Sequence, residues 1–230
     1  MALWWLLACV PRPVPPVTAP APPAEVAPAE AAPADSTPAT AEEALFGRIA
    51  VAYASADAPG ALALLAEFDR QFPESRAGSV LVDWKNALER MGKAAPSLES
   101  VLWPGEPAAP RAATLIVFFE PWCPHCRADV PQVELLRREY EPRGLTVVGI
   151  TAMSRGATEA DLAEFVTAGQ VGFPIGREDG SVSEAYGVAG VPHIAFVREG
   201  MLVWSGHPSL LTLDLVGAIT EGRPLPIPVP

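Results

Sequence analysis

The run TLIVFFEPWCPHC, from Thr114 to Cys126, limits the fold of this chain more than any other stretch. A nearly unbroken run of apolar, strand-forming residues reads as a buried strand. It ends in two cysteines three positions apart, and from there a helix-type pattern reaches about Tyr140. At such a junction the unpaired amides and the positive end of the helix favour thiolate over thiol. Cys123 is expected to be the exposed, reactive member. Cys126, one turn further in, is expected to be partly shielded and able to attack a mixed disulfide formed on Cys123. Spacing alone leaves a redox pair, half of a metal site and core filler all open.

The flanking pattern begins to separate these readings. Strand-type runs recur at LTVVGI (Leu145 to Ile150) and HIAFV (His193 to Val197). Between and after them come helical stretches, one capped by Thr158 and running to about Ala168, another covering roughly Leu210 to Thr220. The alternation implies an α/β domain, a mixed central sheet flanked by helices. Upstream, Thr40-Ala41-Glu42-Glu43 reads as a capping box that opens a small all-α unit over residues 40–93. Its helical stripes are Leu45, Ile49, Ala52 and Tyr53; then Leu62, Leu65, Phe68 and Phe72; then Leu81, Trp84, Leu88 and Met91. Residues 41–74, which run into FPES (Phe72 to Ser75), resemble a single tetratricopeptide repeat. A lone repeat cannot bury its own faces, so it must pack on the third helix, on the downstream domain or on a partner. The unit is expected to serve as a structural cap or as a surface where a protein docks. Pro96 to Pro110 is a proline-rich connector, and residues 224–230 form a proline-rich tail.

The chain has 230 residues and a formal net charge of −11, with no lysine after Lys93. It offers no basic face for phosphates, so nucleic acid is not an expected partner. The third cysteine, Cys9, ends MALWWLLAC, which resembles a bacterial lipobox, the lipidated cysteine becoming the mature N-terminus. No Lys or Arg precedes the run, and Leu3 to Ala8 is shorter than an ordinary signal core, which suggests a trimmed or misplaced start. Such a run is too short to span a bilayer, so membrane association is expected through lipid on Cys9 at most. Val10 to Ala39, nearly all Pro, Ala, Val, Thr and Glu, cannot build a core and is expected to be a disordered, extended tether. The expected location is the cell envelope, on its periplasmic side.

TLIVFFEPWCPHCRADVP resembles the strand, active-site turn and first long helix of the thioredoxin superfamily, with Trp122 before the first cysteine and Pro131 five residues after the second. GVAGVPHIAFV resembles that family's cis-proline loop, with Pro192 as the cis residue. The stretch Thr158 to Ile175, with FPIGREDGSVSEAYGV, is similar to the insert of exported TlpA- and ResA-like thiol-disulfide oxidoreductases. The resemblance covers residues 97–223. It implies a thioredoxin-like domain that exchanges disulfides with client protein thiols and with an upstream redox partner, without a cofactor. It further implies Cys123 as nucleophile, Cys126 as resolving cysteine, His125 and Pro192 as their catalytic neighbours, and client contacts at Trp122, Pro124, Val191 and His193. Many relatives carry a buried carboxylate six residues before the first cysteine, where this chain has Val117. Glu120 is expected to be solvated at the strand end, and His207, in a Gly-His-Pro turn, to be a plain surface residue.

The Pro124-His125 pair resembles that of DsbA-type oxidases. Proline stiffens the turn, and the histidine adds a donor that can stabilise the Cys123 thiolate. A stabilised thiolate leaves more readily, which favours donating a disulfide, whereas the scaffold resembles reductases. The direction of exchange therefore stays open. Two other functions compete with it. A copper-binding module would use Cys123, Cys126, His125 and His193, and a redox-inactive docking protein would use the helical unit. No Pro-x-x-x-Thr-x-x-Cys peroxidatic setting, phosphate loop, His-Glu zinc helix or Ser-His-Asp set is legible. No metal is assigned.

Overall fold

A computed structural model describes residues 40–105 and 113–226 of the chain. Cys9, the 10–39 tether, part of the connector and the end of the tail lie outside the described residues. The described elements are α1 (Ala41–Ala54), α2 (Ala58–Gln71), α3 (Gly78–Leu88), β1 (Ala113–Phe118), α4 (Pro124–Tyr140), β2 (Leu145–Thr151), α5 (Glu159–Gly169), β3 (Ile175–Arg177), α6 (Ser181–Tyr186), β4 (His193–Arg198), β5 (Met201–Gly206) and α7 (Leu213–Thr220). None of the described helices is long and apolar enough to cross a membrane.

The five strands form one mixed sheet in the order β3-β2-β1-β4-β5. β1 pairs in parallel with β2 and antiparallel with β4, so the strand that leads into the cysteines is central. Side chains along β1 alternate between the two faces. Leu115 and Val117 enter a core with Val130 and Val133 of α4, Phe165 of α5 and Val216 of α7. Ile116 and Phe118 enter a second core with Val182 and Tyr186 of α6. This is a thioredoxin-like fold with a helical region before it.

The Thr40–Glu43 capping box opens α1, with the Thr40 amide 2.7 Å from the Glu43 carboxylate. α2 is capped by Asp57, which accepts from the Gly60 amide at 3.0 Å. The three apolar stripes converge on buried Leu45, Ile49, Leu65, Phe68, Leu81 and Leu88, and that cluster runs without a break into the core on one face of the sheet. Tyr53 joins the two parts. Its ring meets Trp204 edge-on at 6.0 Å, its hydroxyl donates to the Ser205 carbonyl, and Trp204 Nε1 donates to the Tyr53 carbonyl at 3.1 Å. A Cβ on Gly206 would stand 2.9 Å from the Tyr53 ring, so a glycine is needed for this approach.

Both sheet edges are covered by chain that precedes β1. Gly92 donates to the Leu202 carbonyl (2.8 Å) and Ala95 to that of Gly200 (2.8 Å), which occupies the outer edge of β5. Leu102 exchanges bonds with Arg177 and covers β3. Covered edges cannot recruit a stray strand.

Three elements go beyond the sequence expectations: β3, α6 and β5. The final helix also starts later than expected, at Leu213 with Thr212 as its cap, because Pro208–Leu210 forms a separate 3-10 turn.

Candidate active site

Cys123 is the N-cap of α4, with Pro124 in the first turn, where proline's missing N–H costs nothing. Its sulfur accepts from the Cys126 amide at 3.3 Å, so one orphan N–H of the helix start points at this sulfur, an arrangement that favours negative charge there. Both cysteines are free thiols. The second neighbour of the Cys123 sulfur is the Val191 carbonyl, 3.5 Å away, to which the thiol donates. The Val191–Pro192 peptide bond is cis.

Sequence reasoning expected Cys123 to be exposed, and the structure corrects this: only 3% of it is accessible. The Val191–Pro192 loop, 68 residues further along the chain, comes down on the sulfur. Cys126 is fully buried at 0%. Burial, and after it the hydrogen bond with Cys123, push the Cys126 thiol far above the ordinary thiol range, and the negative charge of Glu120 adds to the rise.

Glu120 is the second correction. It is 6% accessible rather than solvated. Its two carboxylate oxygens accept from the backbone amides of Ala152 (3.1 Å) and Ser154 (2.9 Å), just beyond β2. The parallel pairing of β1 with β2 brings those amides to the end of β1, and no local signal in the sequence announces them. Val117 is buried and apolar, so no carboxylate enters from that position.

The loop pinned by Glu120 carries a neighbour of Trp122 that the sequence did not reveal. Arg155 places its guanidinium 3.8 Å from the centre of the half-buried Trp122 ring, while Trp122 Nε1 donates to Ser154 Oγ at 3.1 Å. Pro124 and His125 are both exposed on the first turn of α4.

His193 turns its ring inward, away from solvent. Its Nε2 lies 2.7 Å from Ser205 Oγ, and its ring sits edge-on to Phe118 at 6.3 Å. Burial first, then the charges of His207 and Arg90, hold its pKa down to about 4, so the imidazole is neutral near pH 7. His207 is exposed, with Nδ1 2.8 Å from Ser209 Oγ and Nε2 3.7 Å from Asp129. Among the described residues, no group of three or more His, Cys, Asp or Glu is arranged to hold a metal ion. Cys123, Cys126, Trp122, Pro124, His125, Val191, Pro192 and His193 thus gather at one end of the sheet, whereas Cys9 is not among the described residues.

Residues 108–205 match the family model described as AhpC/TSA. A thiol-disulfide oxidoreductase ResA of Oceanobacillus iheyensis is 27% identical over 112 residues, covering 48% of this chain and 57% of that protein. A second ResA, from Halalkalibacterium halodurans, is 27% identical over 105 residues, 45% of this chain and 58% of the relative. The chain thus spans less than two thirds of either. Among solved structures, the thioredoxin domain of a thiol-disulfide oxidoreductase from Bacteroides vulgatus shows 21% identity and a TM-score of 0.48, covering 58% of this chain and 98% of that one. The central strand, the cysteine pair and the cis-proline loop all lie inside the segment, residues 108–205, that is similar to the AhpC/TSA family.

Proposed function

We propose that the chain is a thiol-disulfide oxidoreductase that exchanges disulfides with protein thiols through Cys123 and Cys126. The observation that carries this reading is the asymmetry of the pair. The Cys123 sulfur receives a helix-start amide and meets the Val191 carbonyl, while Cys126 lies behind it, fully buried and held as a thiol.

In the reducing direction, the Cys123 thiolate attacks one sulfur of a client disulfide, and the other client sulfur leaves as thiolate. Cys126 gives up its proton, attacks the Cys123 sulfur and expels the client's first sulfur, which takes up a proton. The client gains two electrons, and the chain is left with a Cys123–Cys126 disulfide. The oxidising direction is the same sequence reversed. The high proton affinity of Cys126 makes it a slow attacker of the mixed disulfide. The mixed disulfide is therefore long-lived enough to be guided by its surroundings. In this reading Trp122, Pro124, Val191 and His193 contact the client, while His125 and Pro192 shape the reacting end.

The proposed setting is the cell envelope, with Cys9 as lipid-bearing residue and residues 10–39 as tether. Its support is the LLAC sequence and the Pro/Ala-rich composition. The helical unit (40–93) and the thioredoxin-like domain (97–223) are proposed as the two folded parts.

Cys126→Ser should trap client proteins in reductant-sensitive adducts, whereas Cys123→Ser should trap none. Alkylation of the reduced protein near neutral pH that labels Cys126 before Cys123 would overturn the assignment.

A further inference from the structure

The cis-proline loop faces more than Cys123. On its other side lies a groove of about 260 Å³ whose opposite wall is the helical unit: Val80, Asp83 and Trp84 of α3 stand across from Val191, Pro192 and His193. The thioredoxin-like domain alone supplies only one side of it. Val191 belongs both to this groove and to the reacting end, since its carbonyl is 3.5 Å from the Cys123 sulfur.

Resting on the exchange reading above, we infer that this groove selects clients: it receives a large apolar side chain lying close to the client's reacting cysteine, so that the helical unit is part of the substrate-binding surface. Three observations fix the occupant as a polypeptide side chain. First, a molecule disulfide-bonded to Cys123 lies beside Val191, which also lines the groove, so the two are contiguous. Second, pockets for free organic ligands run to about 300–1,000 Å³, while about 150 Å³ suffices for one benzene ring, so this groove has the size for one or two side chains. Third, the walls are mainly apolar. Val80 is 46% accessible on a helix whose other face is packed, Trp84 is half-buried, and His193 is neutral near pH 7. Asp83, exposed on the same wall, would tolerate a cationic neighbour of that apolar residue.

A client side chain of this kind, when buried, typically accounts for about tenfold or more in discrimination. The test uses the full chain, reduced, and cysteine peptides as mixed disulfides with glutathione. Phe is placed in turn at each of the four positions flanking the cysteine, with a peptide carrying Gly at all four as reference. At one or two positions, the single-turnover second-order rate constant for the Phe peptide should exceed that of the Gly peptide about tenfold, and in Val80→Glu this ratio should fall towards one. Val82→Glu, on the same helix but not lining the groove, should keep the native ratio. A native ratio of one at every position overturns the proposal, as does a preference that survives Val80→Glu. A chain that dimerises, and does so less in Val80→Glu, would assign the groove to a second copy and overturn it too. Failure to exchange with oxidised glutathione as well as with every peptide would refute the exchange reading itself, and the groove proposal with it.

Discussion

His193 makes the stability of this protein sensitive to mild acid. Its ring is packed between Ser205 and Phe118, and its pKa falls from an ordinary 6.5 to about 4. Between those two values the unfolded chain binds a proton that the folded chain refuses. Unfolding free energy therefore rises with pH through this window, and acid destabilises. From pH 7.5 to pH 5 the loss from this one group is about 2 kcal/mol, approaching roughly 3 kcal/mol as pH nears 4. For a domain of this size the first figure corresponds to a fall in Tm of about 4–8 °C. Urea unfolding at the two pH values measures it directly. His193→Gln keeps a polar partner for Ser205 but cannot titrate, so it should lose most of the pH-dependent part. The carboxyls held low by hydrogen bonds, Asp161 and Asp179 among them, retain their contribution at pH 5 and lose it only in stronger acid. A native chain equally stable at both pH values, or a Gln variant that falls as far as the native one, would refute the reasoning.

Two further substitutions probe the site. Glu120→Gln turns an amide N–H towards a backbone N–H that now donates to carboxylate, at a cost of about 1–2 kcal/mol in urea unfolding; it also removes the negative charge beside Cys126, so mixed disulfides should resolve faster. An unchanged unfolding midpoint and an unchanged adduct lifetime would contradict this. His125→Ala should lower the reduction potential of the pair by about 30 mV for each tenfold loss of thiolate stabilisation, measured against a glutathione series, and a potential that stays put would assign the exposed histidine no tuning role.

What could be read in advance was what local chemistry dictates. The apolar run of β1, the Thr40 and Thr158 caps, the helix beginning at the cysteines and the proline of the cis loop each carry their signal within a few residues. β5 does not. MLVWSG is a short apolar run whose residues from Leu202 onward are all buried, because Tyr53 of α1 and the segment after α3 cover an edge strand that would otherwise alternate. Glu120 was misread for a related reason, since the amides that bury it come from Ala152 and Ser154, positioned by strand pairing rather than by sequence proximity. The burial of Cys123 by Val191 and the pairing of Arg155 with Trp122 are equally non-local. The helical unit displayed its own stripes, but nothing in them showed that Trp84 and Val80 would face the cis-proline loop.

Whether Cys123 and Cys126 form one working redox couple is read out by equilibrating the protein across a glutathione or dithiothreitol series, quenching with an alkylating agent and weighing the products. A single two-electron transition is expected, in which both alkyl groups are lost together as the Cys123–Cys126 disulfide forms, and it should disappear in Cys126→Ser. Two thiols that stay alkylatable across the whole series, or that oxidise independently of each other, would contradict it.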